Sequence, residues 1–296
     1  ILCSLLANIL VLVVFYQRPS LLTISNRFVL NLAISNLLIT LLIMPFAFAS
    51  TVLGPSWQVH PIGCQVVSTA TMMLFAACIY TLLLISIDRL YAIKRPLHYS
   101  IKITRMRSVI YISSVWMLAL VVAMPPIFIP GGITYQPSKG LCSTNWGLAV
   151  YHMKTYAYCF VVLCFVLPFA AMFWIYVTIF RVNRRRSSAI SLALMQFASI
   201  QRRQSSSASR ISFHREDWRA AKTGIIVMFT FTLCWLPIFI VIALEAGLPV
   251  TLRVAIIGPS FQAIAVWLSF LVCALNPMVY VFRTRAFKHE LFVLLG

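Results

Sequence analysis

Seven stretches of the chain, at roughly 1–16, 28–52, 65–88, 108–130, 155–180, 222–245 and 255–282, are almost free of charge. All but the first exceed the about 20 residues that a helix needs to cross about 30 Å of hydrocarbon. Backbone in hydrocarbon has no water to bond, so each run must close its hydrogen bonds within itself as a helix. The expected fold is an all-α membrane protein, a seven-transmembrane helix bundle forming a single domain over 1–296. Composition agrees: 61% of the residues are hydrophobic and 10% charged, whereas soluble domains are about half apolar. The first run begins at Ile1 without a methionine and reads as a span whose outer top and preceding tail lie outside the sequence. No signal peptide is judged from it. Arg283 to Leu295 follows the last run as a short amphipathic stretch suited to a helix lying on the membrane surface.

Charge sets the orientation. Of the 24 Lys and Arg, only Lys139, Lys154 and Arg253 fall in the connections after spans four and six. The rest lie in or beside the connections after spans one, three, five and seven, which the positive-inside rule places in the cytoplasm, with the N-terminus outside. A net charge of +19 would suit nucleic acid only on a soluble basic face. Here it reads as basic loops at a membrane surface, and no nucleic acid partner is expected.

Six of the eight cysteines fall inside apolar runs, as small buried hydrophobes do. The two left, Cys64 at the outer end of span three and Cys142 before span five, both face the oxidising side and are expected to be bridged rather than free. One long polar insertion, 183–215, forms the third cytoplasmic loop. In it Arg184-Arg185-Arg186-Ser187-Ser188 and Arg202-Arg203-Gln204-Ser205 set basic pairs ahead of Ser187, Ser188 and Ser205. That spacing suits phosphorylation, which would reverse the local charge, but a merely solvated loop makes such matches too. The apolar stretch Ile190 to Ile200 would extend a helix.

Only five acids occur in the chain, and one of them, Asp88, precedes Arg89 where span three ends. A charge at mid-bilayer costs about 2.5–3.5 kcal/mol, so the pair belongs at the inner interface. Glu216-Asp217 stands at a matching depth before span six. Arg89 facing Asp217 would make a latch that opens without unfolding either helix. The plainer alternative is that Arg89 only anchors the span end.

At these residues the chain resembles the class A, rhodopsin-like G-protein-coupled receptors. Asp88-Arg89-Leu90 is similar to their Asp-Arg-Tyr motif, with leucine for tyrosine. Asn8 resembles the first-span asparagine, Trp116 the fourth-span tryptophan, and Pro168 with Tyr176 the fifth-span pair. Phe231 with Cys234-Trp235-Leu236-Pro237 resembles the sixth-span motif, and Asn276-Pro277-Met278-Val279-Tyr280 the seventh. The resemblance covers essentially the whole chain. It implies a receptor of the plasma membrane, multi-pass, that activates a heterotrimeric G protein, with arrestin and receptor kinases as further partners. Asp88, Arg89, Leu97, Tyr176, Asp217, Asn276, Pro277 and Tyr280 would form the coupling and switch region. Pro168, Pro237 and Pro277 each remove a backbone donor within an apolar helix and would bend it.

Departures narrow the reading. Where most members carry aspartate in span two this chain has Asn36, and the third-span partner is Cys78. Asn8, Asn36, Cys78 and Asn276 would make a polar centre without the charge that a sodium ion needs, and no metal or cofactor is expected. Amine receptors place an aspartate where Thr71 stands, and opsins a lysine where Phe270 stands. By the same correspondence the ligand cavity would be lined by Thr71, Met72, Phe75, Phe160, Cys164, Trp235, Ile238, Phe239, Val266 and Phe270. Trp235 would be its floor. So apolar a site suits a lipid, a sterol or no soluble ligand. Glu245, near the outer end of span six, would meet a cationic group or pair with Lys139, Lys154 or water.

Three stretches, at 21–38, 242–247 and 265–270, are similar to an orphan branch of ciliary membranes that acts through cyclic AMP, which would imply the stimulatory G protein and appreciable basal activity. Other branches, amine-like or lipid-activated, share much of the pattern. A seven-helix transporter or pump would need ionisable groups along its path, and spans one, two, four, five and seven have no Asp or Glu. No triad suggests an enzyme.

Overall fold

The computed structural model describes residues 1–54, 60–198 and 206–283, with the backbone alone at Ser100, Ser187, 189–198, 206–221, Gly224 and 280–283. The side chains of Asp217, Tyr280 and Ser187, and all of Ser205 and the amphipathic stretch beyond Arg283, therefore lie outside the described residues. Among the described residues six helices are long and apolar enough to cross a membrane: span two (Ile24–Leu53), three (Pro61–Lys94), four (Arg105–Phe128), five (Tyr151–Arg186), six (Ile225–Gly247) and seven (Pro259–Val279). Span one, Leu2–Gln17, is apolar but has 16 residues. It packs between spans two and seven as the seventh member of the bundle.

Helix starts follow local chemistry. Thr23 and Thr104 accept backbone N–H bonds from Asn26 and Arg107, capping spans two and four. Proline opens span three at Pro61 and span seven at Pro259, where a missing N–H costs nothing. The helix of span five runs on as far as Ala198, so that 190–198 continues it, and the helix of span six begins at Ser206.

Span three is the axis of the bundle, packing on spans two, four and five. Buried polar groups stitch these contacts. Asn31 on span two donates to Thr81 on span three at 2.9 Å and accepts from Trp116 Nε1 on span four at 2.9 Å. Spans two and five each contain a π-helical turn, Ile39–Ile43 and Val162–Val166. In each the residue ahead of a proline bonds five residues back, Met44 to Ile39 and Leu167 to Val162. A proline ring collides with the carbonyl four residues before it, and the wider turn relieves that collision at Pro45 and Pro168. The bend expected at Pro168 thus takes the form of a π turn. Pro237 and Pro277 instead lie inside helices that continue through them.

Over the outer end lies a hairpin, β1 (Ile133–Gln136) paired antiparallel with β2 (Leu141–Thr144). Its turn needs Gly140 at φ +63°, and a Cβ there would come within 2.6 Å of Thr51 Oγ1 on span two.

Candidate functional site

The hairpin closes the outer mouth. Cys142 on β2 is bonded to Cys64 at the top of span three, as the topology led us to expect. Tyr135 accepts from Ser50 on span two at 3.1 Å. Ser138 donates to Gln262 on span seven at 2.6 Å. Lys139 Nζ reaches Glu245 Oε2 on span six at 2.7 Å, with side chains only 2% and 5% exposed. Of the partners expected for Glu245, Lys139 is the one it has. Burial pushes the Lys139 ammonium below its ordinary value and nearby Arg253 adds to this, while Glu245 pulls the other way. Arg253 itself lies over the bare backbone of Gly147, where any Cβ would collide with its guanidinium.

Beneath the hairpin is a cavity of about 80 Å³. Thr71, Met72, Phe75, Phe160, Trp235, Ile238, Phe239, Val266 and Phe270 line it, as expected from position. Its floor is aromatic: Phe75 meets Trp235 edge-on with centroids 4.7 Å apart and Phe270 at 5.6 Å. Two expected members lie outside the lining. Cys164, in the π turn, faces Tyr80 with Sγ 3.5 Å from its hydroxyl, and Glu245 sits behind Lys139. Sequence reasoning missed the hairpin's share: Lys139, Leu141, Ser143, Thr144 and Trp146 all line the cavity. Trp146 stacks on Tyr156 at 5.6 Å and tilts against Phe160 at 5.1 Å. The cystine was the available signal, since residues flanking Cys142 must lie near the top of span three. Cavities for drug-sized ligands run to about 300–1,000 Å³, so a sterol or lipid does not fit while the hairpin is in place.

In the polar centre Asn36 donates to Asn8 Oδ1 at 3.3 Å, and Cys78 Sγ lies 3.5 Å from Asn36 Oδ1. Asn8 gives its own amide hydrogens to the carbonyls of Ser4 and Cys273, both at 2.8 Å. Asn276 is buried, and its Nδ2 has no partner among the described residues.

At the inner end Asp88 is buried. It accepts from Ser25 Oγ at 2.6 Å and from Tyr99 at 2.7 Å, and those two hydroxyls lie 2.7 Å apart. Burial pushes the Tyr99 hydroxyl up to about 12, so it stays a donor. Tyr99 rides on a short helix, Pro96–Lys102, which also carries Leu97, 84% exposed. Tyr176 bonds Ser86 at 2.8 Å, joining spans five and three. Arg186 Nη2 caps the Ile93 carbonyl at 2.8 Å. Ser188 is exposed, its Oγ bonded to the Arg184 carbonyl.

A bundle of this architecture, closed by a cystine-bonded hairpin, is matched over residues 7–280 by the 7 transmembrane receptor (rhodopsin family) pattern. The chain belongs to the rhodopsin family of seven-transmembrane receptors. Membership makes it a multi-pass membrane receptor and not an enzyme. Among curated relatives it is 31% identical to G-protein coupled receptor 161 of Xenopus tropicalis, over 97% of this chain and 57% of that protein. It is 30% identical to 5-hydroxytryptamine receptor 4 of Homo sapiens, over 100% of this chain and 77% of that one. With octopamine receptor beta-2R of Drosophila melanogaster it shares 27% identity, over 97% and 58%. The chain thus spans little more than half the length of G-protein coupled receptor 161, the receptor that its orphan-like stretches resemble.

Proposed function

We propose that this rhodopsin-family receptor activates a heterotrimeric G protein, of the stimulatory type that raises cyclic AMP, from the plasma membrane with its N-terminus outside. The observation that carries the reading is Leu97. A leucine 84% exposed on a short helix among basic residues is unfavourable in water unless a partner covers it. The helix beneath it is pinned to span three through Tyr99 and Asp88. A pinned apolar knob next to the family's arginine suits insertion into the G-protein α subunit. Arg89, Tyr176, Asn276, Pro277 and Tyr280 would line or control the contact, with Asp217 holding Arg89 at rest. Arrestin and receptor kinases would engage the same basic face, with Ser187, Ser188 and Ser205 as sites of phosphorylation.

Appreciable basal activity is part of the reading. Asn36 carries no charge to hold a sodium ion that would favour the resting shape. The deciding experiment is nucleotide exchange on purified stimulatory and inhibitory G proteins, with no added ligand, beside cellular cyclic AMP. Exchange on the stimulatory protein alone is expected; exchange on neither would defeat the proposal.

A further inference from the structure

The Lys139–Glu245 pair is unlike the rest of the outer site. Of the five acids in the sequence, Asp88 and Glu245 have described side chains, Asp88 near the end of span three and Glu245 at the opposite end of the bundle, buried beside an apolar cavity. A carboxylate in such a place needs a cation. The fold supplies one from a loop, on a flexible four-carbon stem, instead of fixing one on a helix. Lys139 lines the cavity and Glu245 does not, so the lysine stem stands between the carboxylate and the empty space. In chemical terms, a primary alkylammonium is already seated on an anchor.

We propose that Lys139 is a built-in placeholder, and that Glu245 anchors a small primary amine with an apolar body whose ammonium takes the place of the Lys139 ammonium. The exchange keeps the buried charges balanced. Glu245 retains one ammonium, and Lys139 leaves with the hairpin turn for water, where its charge is better solvated. A neutral alcohol offers Glu245 nothing in return for Lys139, and a carboxylate ligand would meet Glu245 as a like charge. The space vacated by the lysine stem adds to the cavity, whose walls at Met72, Phe75 and Ile242 suit an alkyl or aryl body. Among the described residues Arg253 is the one other charge that acts on Lys139. Its Nε has no partner among the described residues, so it is positioned to compete for Glu245 once Lys139 is gone. The inference rests on the chain's being a ligand-responsive receptor.

The test uses the whole chain in lipid nanodiscs, with n-hexylamine as probe and hexan-1-ol and hexanoate as controls of equal length, binding being read by ligand-observed NMR and by thermal shift. Hexylamine should bind weakly to the native chain. In Lys139→Met combined with Arg253→Gln it should bind about tenfold tighter or more, since the competing internal cations no longer occupy the site. Glu245→Gln should lose the amine, and neither control should bind. Equal binding of hexanol, no tightening on removing Lys139, or retention of the amine in Glu245→Gln would each overturn the inference. If the Lys139→Met chain does not fold, hexylamine in the growth medium should rescue its yield where hexanol does not; rescue by both or neither counts against it. Basal nucleotide exchange by the native chain is measured in parallel. Exchange without amine discrimination defeats the ligand inference alone, and amine discrimination without exchange defeats the receptor reading alone.

Discussion

Tyr99 and Asp88 are 11 residues apart in the chain, yet the tyrosine hydroxyl donates to the carboxylate across 2.7 Å. This bond, shared with Ser25, fixes the short helix that carries Leu97. A hydrogen bond to a charged group contributes about 1.5–3 kcal/mol, and partial exposure puts this one at the low end. Tyr99→Phe should lower the melting temperature by a few degrees and weaken G-protein exchange more than it weakens expression. Ser25→Ala should act in the same direction. In a double-mutant cycle the two losses should be non-additive, because the hydroxyls share one carboxylate.

Leu97→Asp should abolish most nucleotide exchange and leave folding nearly untouched. A side chain this exposed contributes within about 0.5 kcal/mol to stability. Normal exchange by the purified variant would show that Leu97 is not at the interface.

Asn8 spends both amide hydrogens on backbone carbonyls, so it offers Asn36 only its oxygen. An aspartate at 36 would set acceptor against acceptor, an arrangement that a cation or a proton resolves. Asn36→Asp with Cys78→Ser should therefore acquire sodium sensitivity, its basal exchange falling at least about fivefold between sodium-free and sodium-rich buffer. The native chain should be indifferent. A folded double variant that ignores sodium would remove the cation argument.

Replacing Glu245 alone by Gln strands a buried ammonium and should cost about 3–5 kcal/mol, whereas Lys139→Met with Glu245→Gln should restore stability to the native level or above. The pH dependence has a definite sign. Burial already holds Lys139 below its ordinary value, and in Glu245→Gln the opposing pull is gone. The unfolded chain then binds the proton more tightly than the folded one, so stability rises with pH across that window. The melting temperature of the single variant should climb toward that of the native chain as pH is raised from neutrality toward 10, while the double variant stays flat.

The Asp217 latch is tested directly. Asp217→Ala should raise basal signalling, and Arg89→Ala should abolish coupling with surface expression retained. An interfacial pair is worth about 0–1 kcal/mol, so the rise should be at most about fivefold. Unchanged basal cyclic AMP in Asp217→Ala would remove the latch.

The spans were legible because a membrane demands one simple thing of a sequence, a long uncharged run, and Phe75, Trp235 and Phe270 fell into place with them. Cys164 was assigned to the cavity by correspondence with the family, but it sits in the π turn at Val162–Val166 and faces Tyr80 instead, and the similar turn before Pro45 gave no signal beyond the proline. Lys139 and Trp146 were missed for another reason. A loop has no period, and its position over the cavity is fixed by one cystine and a few hydrogen bonds from distant spans. Asn36 was correctly placed in depth, but which amide it would meet depends on rotation about each helix axis, which apolar length does not encode.

Span two has a consequence for how the molecule is made. Asn31, Ser35, Asn36 and Thr40 all lie within it, and three of them find side-chain partners elsewhere: Asn36 on Asn8 and Thr40 on Ser4 in span one, Asn31 on Thr81 in span three and Trp116 in span four. During synthesis span one emerges before span two, and spans three and four after it. A newly inserted span two can therefore settle one flank at once, while the Asn31 amide hydrogens wait in hydrocarbon for Thr81, 50 residues further on, and its oxygen for Trp116, 85 residues further on. Early assembly is thus the vulnerable period, and substitutions at Thr81 or Trp116 should reveal themselves as degradation of half-made chains before any defect in the finished receptor.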